Sequence, residues 1–202
     1  MTKSRPAVLR LPESLFEPII PDLTEFVQKF PWDFGSECGP AESREAIFMK
    51  VSEPARKELV RSYTDVPLAI DKRNIRLPRG FSTAISNSVI DHLVQAGLTS
   101  SAALSGAMIY PPGGWMGWHT NSDRAGWRLY VNYTKTDHRS FFRWSEDGTF
   151  NTDYDRAGFN FRVFRVGSEA DLLWHCIYAD DWRLSLGYRL NEPGEAVWET
   201  ST

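Results

Sequence analysis

The chain changes rhythm near residue 100. Before it, apolar residues recur at helical spacing. Leu23, Phe26, Val27 and Phe30 share one face, with Asp22 placed to cap the helix and Pro31 to stop it. Residues 43–51 and 53–63 read as two helical pieces broken near Pro54. Residues 86–96 read as a third helix that buries Val89, Ile90, Leu93 and Val94, with Gly97 as its stop.

After Ser100 the period becomes two. Segments 107–110, 127–133, 140–144, 160–166, 170–177 and 183–190 all read as strands. The stretches EDGTF, DRAGF, RVGSE and YADD read as the turns between them. Many short strands in succession predict a sandwich, jelly roll or barrel. The expected fold class is therefore α+β, mainly β. One domain is expected over 1–202, its helical portion (1–100) packed on a β core (101–202).

Composition narrows the function. Hydrophobic residues make up 42% of the 202, enough for a sizeable core, and the net charge of −3 is ordinary. No basic surface for nucleic acid is visible beyond a local group, Lys72, Arg73, Arg76 and Arg79. No apolar run approaches the ~20 residues of a membrane span, and no signal-peptide core is present. A soluble cytoplasmic protein with no nucleic-acid or membrane partner is expected. Cys38 and Cys176 could form one disulfide, but two cysteines make no disulfide framework. Most of the eight tryptophans are expected in the core.

The chain has only four histidines. His92 falls on the polar side of a helix and His138 in a turn, so both are expected at the surface. His119 and His175 differ: each lies at the edge of a predicted strand among aromatic residues. Neutral imidazoles suit ferrous iron, and two histidines with one carboxylate on one face of the metal define the non-haem iron oxygenases. Eight residues after His175 comes Arg183, and two later Ser185. In a strand these two share a face, and an arginine fork beside a hydroxyl suits a buried carboxylate.

Three stretches, PPGGWMGWHTN, RLYVNY and LLWHCIYADDWRLSLGYRL, resemble the iron(II)- and 2-oxoglutarate-dependent dioxygenases, nearest the aspartyl/asparaginyl β-hydroxylase branch. Pro112, Gly113, His119, Thr120, Arg128, His175 and Arg183 carry the resemblance, which spans 107–190. It implies a double-stranded β-helix (a cupin-like jelly roll). It implies Fe(II) on His119 and His175, and 2-oxoglutarate with its distal carboxylate on Arg183 and Ser185. Arg128 and Tyr130 match positions that touch the co-substrate or substrate carboxylate, and Tyr110 or Met108 lines the same pocket. The implied reaction is O2-dependent hydroxylation of an unactivated C–H in an amino-acid-like, peptide or small-molecule substrate. Trp115, Trp118 and Trp174 would then form a dry wall near the substrate, and Arg128, Arg139 and Arg143 could fix an anionic group.

One position departs from the pattern. Asn121 stands where most relatives place the ligating Asp or Glu. The β-hydroxylase branch lacks that carboxylate and uses two histidines with water. Alternatively, Asn121 ligates weakly through its amide oxygen, or Asp123 swings in, or the protein is a catalytically degenerate jelly-roll binding protein. A neutral donor weakens iron binding relative to a carboxylate, because one charge attraction is lost. A cupin-type metal enzyme without 2-oxoglutarate ranks last, since such sites use more histidines.

Overall fold

In a computed structural model, the described residues are 7–32, 40–61, 69–78, 80, 83–121, 125–146, 148–167, 172–191 and 193–194. Among the described residues, ten strands form two antiparallel sheets. They are β1 (Val8–Leu11), β2 (Ile75–Arg76), β3 (Ala102–Tyr110), β4 (Gly114–His119), β5 (Gly126–Thr134), β6 (Ser140–Glu146), β7 (Thr149–Tyr154), β8 (Gly158–Val166), β9 (Trp174–Ala179) and β10 (Arg183–Leu190). The large sheet has the order β1-β8-β5-β10-β3-β2 and the small one β4-β9-β6-β7. From β3 onward the chain passes back and forth between the sheets, apart from the β6–β7 hairpin, and β8, β9 and β10 each insert beside earlier strands. This is a jelly roll. The first hundred residues are not helical throughout, because β1 and β2 form the two edges of the large sheet.

The helices are α1 (Ile20–Lys29), α2 (Arg44–Lys50), α3 (Glu53–Arg61) and α4 (Thr83–Gln95), with a 3-10 helix at Glu13–Ile19. Asp22 does not cap α1. The 3-10 helix runs directly into it through Ile19 and Ile20, and Asp22 instead accepts from Ser88 Oγ of α4 at 2.6 Å. Ser43 caps α2 by accepting from the Ala46 amide. The buried stripe of α4 is Ile85, Val89 and Leu93, four residues apart, so Val94 faces solvent at 42% exposure. Gly97 ends α4 at φ 68°, and the Leu98 amide donates back to the Leu93 carbonyl.

The burial follows the strand period. On the large sheet, Leu129, Val131, Phe161, Val163, Leu184 and Leu186 form the outer face, which packs under α1, α4 and the 3-10 helix. The polar set of the same strands therefore faces inward, toward the small sheet. It includes Arg128, Tyr130, Asn132, Arg162, Arg183 and Ser185. The small sheet turns Met116, Phe142 and Ile177 inward. It turns Trp115, Trp118, Phe141, Trp174 and Cys176 outward against α2 and α3. Cys176 is buried there, and Cys38 lies outside the described residues. No helix among the described residues is long and apolar enough to cross a membrane.

Candidate active site

The stretch before His119 is a strand, not a turn throughout. Only Pro111–Gly114 turns, with Gly113 at φ 73° and the Gly114 amide donating to the Pro111 carbonyl at 2.7 Å. β4 then pairs with β9, Met116 opposite Ile177 and His119 opposite His175. Two residues, Gly117 and Trp118, oppose Cys176 alone. This β-bulge decides the site, because an extra residue inverts the alternation. Without it His119 would point outward; with it, Trp118 points outward and His119 joins Met116 on the inner face.

His119 and His175 are thereby neighbours across two strands, with ring centroids 4.1 Å apart. His119 is 4% exposed and His175 0%. His119 Nδ1 lies 2.8 Å from the Gly117 carbonyl and His175 Nδ1 2.9 Å from the Leu173 carbonyl. A carbonyl only accepts, so each Nδ1 carries the proton and each Nε2 presents a lone pair. Asn121 follows in the left-handed region (φ 53°), which asparagine tolerates. Its Nδ2 donates to His175 Nε2 at 3.3 Å. Asp123 lies outside the described residues. Among the described residues, no third histidine, cysteine or carboxylate completes a ligand cluster with the pair.

Burial keeps both imidazoles neutral. It holds His119 at about 4, against a small opposing pull from the Gly117 carbonyl. Burial also pushes His175 well down, helped by the neighbouring His119. In the unfolded chain these rings gain protons below about 6.5, while in the folded chain His119 resists until near pH 4 and burial holds His175 well below its ordinary range. Stability is thus fully present above pH 6.5 and declines as the pH falls toward 4. The decline reaches about 1.4 kcal/mol per pH unit for each fully titrating ring. Urea midpoints of the metal-free protein should fall between pH 7 and 5, and the slope should shrink in His119→Gln. Equal slopes in the two proteins would refute this origin.

Arg183 opens β10 and is fully buried. Its Nε donates to Asp155 Oδ2 at 2.8 Å, and Asp155 Oδ1 accepts from Arg162 Nη1 at 2.5 Å. Asp153 bridges Arg162 to Arg10. Burial would raise the Asp155 carboxyl, but Arg183 and then Arg162 outweigh it and hold the group at about 2. Arg183 Nη1 and Nη2, buried, have no hydrogen-bond partner among the described residues. Neither do both amide atoms of Asn132, the cross-strand partner of Ser185. Buried donors are rarely left so. Two unpaired guanidinium nitrogens beside a hydroxyl and an amide are what a carboxylate would satisfy.

A cavity of about 370 Å³ lies between the sheets. Of the sequence-predicted residues, His119, Asn121, Arg128, Tyr130, Tyr110 and Ser185 line it, as does Met108. Arg183 sits behind this wall, its guanidinium carbon 5.5 Å from the Tyr110 ring centre. Burial raises the Tyr110 and Tyr130 phenols, so both remain protonated donors. Trp115, Trp118 and Trp174 are not in the cavity. The alternation and the bulge turn them to the outer face, where Trp118 Nε1 donates to the Ser52 carbonyl and Trp115 lies under Lys50. The apolar lining is instead Ile70, Ala107, Met108, Met116 and Ile177, with Met116 and Ile177 in the same cluster as Phe142 and Phe164. Arg139 is 57% exposed and pairs with Asp180, and Arg143 reaches the Val51 carbonyl, so neither faces the cavity. His138 is exposed as expected. His92 is half-buried, with Nε2 2.7 Å from the Leu15 carbonyl.

Sequence reasoning missed Asp155, Arg162 and Asn132. Asp155 lies in a stretch that reads as a turn. Asn132 had a signal, since it shares a strand face with Arg128 and Tyr130.

Neither a family model nor a curated protein sequence matches the chain. Among solved structures, the chain is similar to a Pseudomonas putida prolyl-4-hydroxylase, with TM-score 0.45 and 14% identity over 92% of each chain. It is also similar to an oxidoreductase of the 2OG-Fe(II) oxygenase family from Burkholderia pseudomallei, with TM-score 0.44 and 14% identity over 70% of this chain and 80% of that one. The functional reading rests on the side chains of the chain itself.

Proposed function

We propose that the protein is an iron(II)- and 2-oxoglutarate-dependent oxygenase that hydroxylates an unactivated C–H bond. One observation carries this reading. The inner face of the jelly roll holds two imidazoles whose Nε2 lone pairs point away from the backbone, His175's engaged only by the Asn121 amide, and a buried arginine with two donors unpaired among the described residues. The residues fit both groups. His119 and His175 would hold Fe(II) through Nε2, and Asn121 would offer Oδ1 once its amide turns over or leave that position to water. The absence of a carboxylate at Asn121 is the feature that favours the β-hydroxylase branch. Arg183, Ser185 and Asn132 would hold the distal carboxylate of 2-oxoglutarate.

When bound, iron and 2-oxoglutarate supply O2-dependent oxidation coupled to decarboxylation. The chain's own residues set the conditions. The Gly117 and Leu173 carbonyls fix the tautomer and aim of each imidazole. Asp155 fixes the Arg183 fork by holding its Nε. Met116, Phe142, Phe164 and Ile177 exclude water from the inner face.

The second reading, a jelly roll that binds ligands without catalysis, rests on Asn121. Anaerobic titration with Fe(II) and 2-oxoglutarate separates the two. We expect the visible charge-transfer band of the chelate in the wild type and its loss in His175→Ala. A folded wild type that gives no band would leave only the binding reading.

A further inference from the structure

Among the described residues the cavity's charge is one-sided. Arg76, Arg128 and Arg189 line it, and among the described residues no aspartate or glutamate does. The three come from different strands. Arg189 on β10 stands opposite Arg128 on β5, and Arg76 on β2 pairs with Met108 of β3. Neither Arg76 nor Arg189 makes an ion pair with a described residue, in contrast to Arg73, which is bound to Asp71. Guanidinium groups lining one cleft raise the local concentration of anions and bind them through paired N–H donors.

The floor beside these arginines is bare. Gly187 of β10 faces Gly106 of β3 and Tyr130 of β5. A Cβ at Gly187 would come within 2.9 Å of the Tyr130 ring, whereas one at Gly106 meets nothing within 4 Å. Gly187 thus makes room for the Tyr130 ring, and Gly106 leaves a gap in the inner face. The cavity of about 370 Å³ is at the small end for ligand sites, which run ~300–1,000 Å³. The co-substrate would take part of it.

We propose that the substrate is a small molecule bearing a carboxylate, held by Arg189 and Arg76 with Arg128 in the cavity that Gly106 leaves open. This assignment rests on the oxygenase reading for its chemistry, but not for the binding it predicts. Arg183 takes the co-substrate carboxylate, and the arginines at the mouth take the substrate's.

The test uses ligand-observed NMR with matched probes: straight-chain carboxylates from acetate to octanoate, phenylacetate and N-acetylated amino acids, each beside its primary amide. Binding is measured on metal-free protein and on protein carrying Fe(II) and 2-oxoglutarate under anaerobic conditions. At least one acid is expected to bind in the millimolar range or tighter, and its amide roughly tenfold or more weakly, as loss of a charged hydrogen bond implies. Arg189→Gln should weaken that acid by a similar factor. Gly106→Val, which has room for its Cβ, should block it. Both variants should leave the 2-oxoglutarate titration unchanged.

Equal binding of acids and amides, or no acid bound, would overturn the proposal. So would an Arg189→Gln variant that loses 2-oxoglutarate instead, since Arg189 would then belong to the co-substrate site. Binding of an acidic peptide but of no small acid would overturn the small-molecule assignment. An acid held through Arg189 in protein that forms no iron chelate would sink the oxygenase reading alone and sustain the anion site.

Discussion

Replacing Asp155 with alanine will cost the fold about 3–5 kcal/mol, the usual result of removing one partner from a buried ion pair. Asp155 and its two arginine partners are each 0% exposed. Without the carboxylate, Arg162 keeps Asp153, which accepts from its Nε at 2.6 Å. Arg183 keeps no anion among the described residues. Its Nη1 and Nη2 already lack partners among the described residues, so the loss of the Nε bond would leave the whole guanidinium buried and unmatched. Asparagine should rescue little, because its amide N–H2 would face arginine donors on one side. Chemical denaturation checks this through the midpoint at constant slope. A loss below about 1 kcal/mol would mean that water reaches the cluster and that its burial overstates its isolation. The effect is separable from the histidine titration. Asp155, held at about 2, stays ionised across the window from pH 6.5 to 4 in which the imidazoles act.

Period-two patterning made most of the large sheet legible. The segment 183–190 predicts β10 with the bounds it has, and 127–133 and 160–166 fall inside β5 and β8. Alternation tells which residues share a face, but not which face is covered. Arg183, Ser185 and Asn132 could as well have faced solvent. The helices decide the matter by taking the apolar face. β4 was hidden by Pro111, Gly113, Gly114 and Gly117, which punctuate like a loop. The bulge at Gly117 and Trp118 cannot be read from spacing, and it sends Trp118 outward and His119 inward. β7 (TFNTDY) was hidden for another reason. It is an edge strand of mixed burial with few apolar residues to alternate. The pairing of His119 with His175 is a product of register, since 56 positions separate them along the chain. Asp155 follows β7 in a stretch with turn composition, and only the packed sandwich shows that it lies between two arginines.

Replacing Arg183 with methionine is expected to have the opposite signature to Asp155→Ala. Methionine preserves the length and apolar stem of the side chain while removing the charge. Asp155 would keep Arg162, so no carboxylate would be stranded. Two buried donors without partners would disappear, which removes a desolvation cost. Stability should therefore change far less than in Asp155→Ala. Replacing buried ion pairs by apolar groups is often neutral or favourable. Affinity for 2-oxoglutarate should fall steeply, by about 2–5 kcal/mol, the usual cost of truncating one side of a buried charge pair. That is roughly 30-fold or more. Fe(II) binding should persist, because His119, His175 and Asn121 are untouched. Calorimetric titration with 2-oxoglutarate in the presence of Fe(II) under anaerobic conditions, beside a denaturation curve, reads both quantities. If Arg183→Met unfolds as easily as Asp155→Ala, the arginine serves the core. If it folds well and still binds 2-oxoglutarate tightly, the unpaired donors answer to some other anion. A stable protein that holds iron but not 2-oxoglutarate is the outcome that the two bare nitrogens demand.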